Sequence, residues 1–296
     1  IFRLERDLMD LRTDLALEKR ELLGREEPEG VESEESDQGG VKFTKIRVIN
    51  EKGSEALGKP IGTYITAEIP ELMKNPVTDE DMIEAVAAQL RSLLPKDGSI
   101  LAVGLGNTRI TPDAVGPKSV SMVLATRHIG KELSDEIDLG ELRSVAGFVP
   151  GVLGRTGLEA AESVKGLVGA VSPSAIIVVD ALAARKLSRL GTTIQISDIG
   201  IIPGSGVGNA RKEITERSVG VPVISVGIPT VVDVGTLVAD LTGSNSEIPS
   251  ESRDMIITPR EIDIVIERAS ELIGMSINKA LQPDISVDEM MMLVGN

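Results

Sequence analysis

The 296-residue sequence predicts an α/β fold: a mostly parallel, twisted sheet with helices on both of its faces. Three observations lead there. Strand-like and helix-like stretches alternate from Val41 onward. Two of the strand-like stretches, Ser99–Val103 and Ala175–Val179, are short runs rich in Ile and Val, the form taken by strands covered on both sides. Aromatic residues make up only 1%, against 41% hydrophobic residues overall, so the core is built from Val, Ile, Leu, Met and Ala.

In chain order, Ile1, Leu4, Leu8, Leu11, Leu15 and Leu22 fall near helical spacing and predict an amphipathic segment over residues 1–23. Residues 24–40, GREEPEGVESEESDQGG, carry seven acids against one Arg and offer few apolar side chains to offset ordering entropy. A mobile acidic linker is expected there, with a single globular body from 41 to 296. Further strands are expected at Val41–Ile49, Gly62–Ile69, Thr192–Ile196 and Val219–Val226. A helix over Asp79–Leu94 turns Met82, Ile83, Val86, Leu90 and Leu93 to one face, with Thr78 and Asp81 as its capping box. The stretch Ser121–His128 reads as helical. A second long helix, Pro259–Leu281, has Thr258 as N-cap and Pro259 at its first position. Ser244–Asp254 reads as a polar loop, and Ser286 with Glu289 as a capping box ahead of Met290-Met291-Met292.

Composition excludes several functions. A formal charge of −15, from 46 acidic and 31 basic residues, lacks the clustered Lys and Arg that phosphate binding requires, so no direct nucleic-acid partner is expected. No apolar run reaches the roughly 18–20 residues that span a bilayer, and the charged N-terminus lacks a secretory pattern. No membrane partner is expected, and the chain reads as cytoplasmic. Zero cysteines remove disulfides, thiolate catalysis and Cys-ligated zinc. The one histidine, His128, cannot make a two-His metal site and is read as a surface or capping residue.

Carboxylates remain. Asp113 follows the strand at 99–103 across Gly104-Leu105-Gly106-Asn107, where the glycines permit a tight turn. Asp180 directly follows Ala175–Val179, so a strand delivers it to a sheet edge, where side chains converge in α/β folds. Either residue could instead cap a following helix. The loop Ile201–Arg211 contains Gly204-Ser205-Gly206 and reads as opening a helix; it fits neither G-x-G-x-x-G nor the phosphate-binding P-loop, and shapes a cleft instead. Asn107 and Asp198 are further cleft candidates. No metal and no cofactor form part of this reading.

Several motifs resemble those of the spore germination protease family: Gly104-Leu105-Gly106-Asn107, Thr111-Pro112-Asp113, Val179-Asp180-Ala181-Leu182-Ala183, the run Ser197–Asn209, Gly220–Ile224, Gly227–Asp233 and, near the N-terminus, Arg12-Thr13-Asp14-Leu15-Ala16. The match runs in order along nearly the whole chain. The family is similar in fold to the hydrogenase maturation endopeptidases, which implies a three-layer α/β/α architecture. It implies an atypical aspartic endopeptidase that degrades small acid-soluble spore proteins at germination, within the spore core, as a homotetramer. By motif, Asp113 and Asp180 correspond to its catalytic aspartates. Arg12–Ala16 resembles its processing site, which implies self-cleavage between Asp14 and Leu15 and a propeptide of residues 1–14. Two other readings stand beside it: a metal-dependent α/β endopeptidase using Asp113, Asp180 and a third ligand, and a non-enzymatic module binding a small ligand at Gly204–Asn209.

Overall fold

The computed structural model describes residues 12–24, 27–73, 79–129, 142–242 and 255–294. In chain order the elements are α1 (Ala16–Leu22), β1 (Val31–Gln38), β2 (Val41–Val48), α2 (Glu51–Leu57), β3 (Gly62–Glu68), α3 (Glu80–Leu93), β4 (Ile100–Gly104), α4 (Val115–Ser121), β5 (Val145–Phe148), α5 (Ala160–Val171), β6 (Ala175–Ala184), β7 (Thr193–Ser197), β8 (Val223–Asp233), α6 (Val234–Thr242), β9 (Ile256–Ile257), α7 (Ile262–Leu281) and α8 (Val287–Val294). Among the described residues nine strands join one sheet in the order β1-β2-β3-β7-β8-β6-β4-β5, with β9 pairing β8.

Successive side chains of a strand face opposite sides, and here each side is covered. Ile100, Ala102, Ile177 and Val179 face a large apolar cluster completed by α3, α4 and α7, through residues such as Ile83, Val86, Val115, Ile266 and Ile273. Leu101, Val103, Ile176 and Val178 face the other way, onto Ala161 and Val164 of α5. On that same molecule a third cluster gathers Ala16, Leu17, Val31, Ile46, Leu57 and Tyr64 beneath α1 and α2. The α/β reading therefore holds, and the purely apolar runs of β4 and β6 are buried strands. The parallel arrangement, however, is confined to one half. β5, β4, β6 and β8 run parallel, whereas β1, β2, β3, β7 and β9 pair antiparallel.

The acidic stretch expected as a mobile linker contains β1. Gly39 and Gly40, with φ of 56° and 70°, form the two-residue turn that folds β1 onto β2. Val31 is buried, and Glu32–Arg47 and Glu35–Lys42 pair across the strands at 2.6 and 3.0 Å. Its other seven residues are exposed, the charge-rich form an edge strand takes. The packed body thus begins before Val41.

Several other boundaries differ from the sequence expectation. β6 continues past Val179 to Ala184, and β8 starts at Val223, after a helical turn at Glu216–Val219. α4 ends at Ser121, so His128 lies in an exposed turn and not on a helix. α3 is capped by Asp79, whose carboxylate accepts from the Asp81 and Met82 N–H groups; Thr78 lies outside the described residues. α7 starts at Ile262, because the Thr258 hydroxyl donates to the Thr230 carbonyl of β8 instead of capping. The capping box of Ser286 and Glu289 is present. The polar loop at 244–254 and residues 1–11 lie outside the described residues.

Candidate active site

Ligands in open α/β sheets sit beyond the carboxyl ends of parallel strands, and the sequence builds its site there. β4 ends at Gly104, which pairs with Val179; Asp180 is the next residue of β6, paired with Gly227 on its other side. Because β4 stops there and β6 continues, Asp180 stands at the carboxyl edge of β4 although it lies within a strand. Its expected place at a sheet edge holds, through the end of the neighbouring strand and not of its own. A helix-cap role for it is removed, since residues 181–184 are strand.

Asp113 reaches the same place by a compact turn. Gly106 has φ of 119°, a region open to glycine. A Cβ there would lie 2.0 Å from the Asp113 carbonyl oxygen. The turn closes with Asn107 N–H donating to the Asp113 carbonyl at 2.9 Å and Asp113 N–H to the Ile110 carbonyl at 2.8 Å. The Asn107 side chain accepts from Arg109 N–H, holding its own turn. Beyond Asp113, α4 comes close to the strand ends because Gly116 has no side chain: a Cβ would meet the Leu105 and Val179 carbonyl oxygens at 2.2 and 2.4 Å.

Asp113 and Asp180 line one cleft of about 660 Å³, together with Asn107, Gly204, Gly206 and Asp14. Burial raises the Asp113 carboxyl to about 6, against the opposing pull of the Asn107 N–H. Burial also raises Asp180 well above its usual value, and the negative charge of Asp113 adds to it; the Ala181 N–H, donating at 2.9 Å, pulls the other way. Two carboxyl groups that resist joint ionisation can hold a single proton between them. Such a pair can act as base and acid in one reaction.

Of the other sequence candidates, Ser205 reaches the cleft through Asp14, its hydroxyl donating to Asp14 Oδ1 at 3.0 Å. The loop around it forms only a short 3-10 turn, Ser205–Val207, and opens no long helix. Asp198 stands elsewhere: its carboxylate accepts from the Thr63 N–H at 2.7 Å, tying β7 to β3, and it does not line the cleft. Nor does His128. Among the described residues no group of three or more His, Asp or Glu side chains is placed to hold a metal ion.

The proposed processing segment lies against the site. Asp14 pairs with Ala183 of β6, its N–H donating to the Ala183 carbonyl at 3.0 Å and its Oδ2 accepting from the Ala183 N–H at 2.9 Å. The Asp14 carbonyl accepts from Lys59 Nζ at 2.8 Å and Gln195 Nε2 at 3.0 Å. Leu15 is fully buried with Leu182, Ala184, Leu190 and Val232. Sequence reasoning missed Lys59, Gln195 and Ala183. The long polar side chain of Gln195 within the short strand Thr193–Ser197 was a signal; the backbone of Ala183 gave none.

A family model described as germination protease matches residues 11–243. The chain belongs to the germination protease family. Among its relatives, the germination protease of Caldanaerobacter subterraneus subsp. tengcongensis is 43% identical, over 97% of this chain and 99% of that protein. That of Clostridium perfringens is 40% identical, over 95% of this chain and 98% of the other. That of Bacillus subtilis is 43% identical over 78% of this chain and 65% of its own length. Membership makes the chain a protease of spore germination. Superposition on the [NiFe] hydrogenase maturation protease HycI of Thermococcus kodakarensis KOD1 covers 64% of this chain and 99% of that one, at 18% identity and a TM-score of 0.34, too low to bear on chemistry. No helix of the described residues is long and apolar enough to cross a membrane.

Proposed function

We propose that the chain is an aspartic-type endopeptidase, made as a self-processing zymogen, that degrades small acid-soluble spore proteins in the spore core as a homotetramer. The observation that carries the aspartic assignment is the meeting of Asp113 and Asp180 in one cleft, each with its ionisation suppressed. With one proton on the pair, the ionised carboxylate takes a proton from water as the water oxygen bonds to the scissile carbonyl carbon. The protonated partner then gives its proton to the leaving nitrogen as the C–N bond breaks. One water is consumed, and a new carboxylate and amine are released. The two groups titrate as a unit.

The zymogen assignment is supported by the seating of residues 12–16 against β6. The carbonyl of the Asp14–Leu15 bond is held by Lys59 and Gln195, and Leu15 is buried, so the uncut segment takes up space at the cleft. Self-shortening needs one proton on the pair, which Asp180 holds above the Asp113 value of about 6, so the rate falls as pH drops through about 6 and Asp113 is protonated as well. A net charge of −15 gives no footing on DNA, so substrate is cut after it leaves DNA. The test is Asp113→Asn and Asp180→Asn in the full chain, followed by mass spectrometry for an N-terminus at Leu15 and by digestion of a purified spore protein. Both reactions slow by roughly a hundred- to ten-thousandfold in each variant. Unaltered shortening in either variant sinks the aspartic mechanism.

A further inference from the structure

The mechanism does not use Glu18, a fully buried acid seated against the end of β6. Its Oε2 accepts from the Arg185 N–H at 2.6 Å and its Oε1 from the Lys186 N–H at 2.9 Å. Oε2 also accepts from the Thr13 hydroxyl at 2.5 Å, and Thr13 Oγ1 in turn accepts from the Leu15 N–H at 3.0 Å. A single hydroxyl therefore stands between the Leu15 nitrogen and the Glu18 carboxylate. The Arg189 partner of Glu18 is distant and shared. Its Nε lies 3.5 Å from Oε1, and the same guanidinium serves Glu21 and Glu68 at 2.6 and 3.5 Å. Lys59 Nζ is turned to the Asp14 carbonyl. A buried carboxylate short of counter-charge is costly, and a cation brought to it is correspondingly welcome.

We propose that Glu18 is the acceptor for the α-ammonium that cleavage creates at Leu15, in a buried ion pair that ties the processed N-terminus to the end of β6, the strand carrying Asp180. This rests on the self-processing reading above. Hydrolysis of the Asp14–Leu15 bond adds one water and leaves a carboxylate on Asp14 and, once the leaving nitrogen has taken its protons, an ammonium on Leu15. Thr13 departs with the cut segment, and its hydroxyl vacates the space between the two charges. The new terminus stays where it was: the Leu15 side chain is buried, and the Ala16 N–H donates to Gln195 Oε1 at 2.7 Å. Closing the width of one hydroxyl then replaces a relayed neutral hydrogen bond with a charge-assisted one. The pair takes over from the Asp14–Ala183 contacts, which the cut removes from β6. An extra residue ahead of Leu15 would turn its nitrogen back into an amide and move the charge off Glu18.

The test titrates the new terminus. The full chain is allowed to shorten itself, and the processed chain is acetylated with trace N-hydroxysuccinimidyl acetate over a range of pH, both folded and in urea. Mass spectrometry of the N-terminal peptide then reads the labelling rate of the Leu15 amine. In urea the amine titrates at its ordinary value of about 8. In the folded chain it is expected to titrate above about 9, and to react about tenfold more slowly near neutrality, because the carboxylate holds its proton. Burial without the ion pair would lower the value instead, so a folded value at or below about 8 overturns the proposal and leaves self-processing standing. Glu18→Gln keeps nearly the same shape and removes the charge, and the raised value is expected to disappear with it. A raised value that survives Glu18→Gln overturns the assignment to Glu18. Where that variant fails to fold or to shorten, the titration of the unaltered processed chain still decides. If the unaltered chain never yields the Leu15 terminus, the self-processing reading fails and takes the ion pair with it.

Discussion

At Asp180 three influences compete within one side chain. Burial and the neighbouring Asp113 charge favour the neutral carboxyl, while the Ala181 N–H favours the anion. Burial also dominates at Asp113, where the value rises to about 6. A carboxyl whose value is raised on folding binds its proton more tightly in the folded chain. Its contribution to stability is therefore complete below the unfolded value of 3.8 and is lost as pH rises through about 6. Asp113→Asn removes an ion from the cleft, so it should raise Tm by about 2–4 °C at pH 7, with the gain vanishing near pH 4. Calorimetry of both proteins across that range checks it; a gain that instead grows toward low pH would contradict the buried environment assigned to Asp113. Which acids mattered was legible in part. The position of Asp180 after five apolar residues, and of Asp113 after a glycine turn, marked both. Asp198, marked by its nearness to the glycine-rich loop, belongs to the β3–β7 contact.

Among the elements, relative strand length decides the site. The apolar run 175–179 marked a strand, but its continuation to Ala184 depends on β8, whose residues pair with it as far as Val232. β1 was missed for a related reason. Its sequence carries no apolar alternation, and it exists because β2 offers it a ladder and the Gly39–Gly40 turn directs it there. The turn was written in the sequence; the partner was not. The approach of α4 to the strand ends depends on Gly116, and the loop before it on Gly106. Gly106→Ala forces a side chain into a backbone conformation reserved for glycine and against the Asp113 carbonyl. A loss of roughly 1–3 kcal/mol is expected, with proteolysis falling by more than the unfolded fraction explains. Denaturant titration and peptide cleavage on the same preparation separate the two effects, and an unchanged cleavage rate would show that the turn does not position Asp113.

Over the whole molecule, the N-terminal segment is bound by a buried acid as well as by Asp14. Glu18 is fully buried, accepting from the Arg185 and Lys186 N–H groups at 2.6 and 2.9 Å and from the Thr13 hydroxyl. Arg12 adds an ion pair to Asp233 at 3.3 Å. Glu18→Gln leaves one acceptor fewer for buried donors. Amide hydrogen exchange of residues 12–22 should then quicken by roughly tenfold or more, while β4 and β6 keep their protection. Equal quickening throughout would mean that Glu18 supports the entire body and not the segment.

By itself the sequence determined the two-sided burial of β4 and β6, the absence of cysteine and of any two-histidine chemistry, and the two acids that follow apolar runs or a glycine turn. It did so because composition and hydrophobic period act locally. Only the tertiary structure decided that the acidic stretch is a strand, that half of the sheet is antiparallel, and that Asp14 lies on β6 beside Ser205. Those outcomes depend on which distant segment supplies a hydrogen-bond partner, and no local pattern of side chains encodes the partner of a backbone N–H.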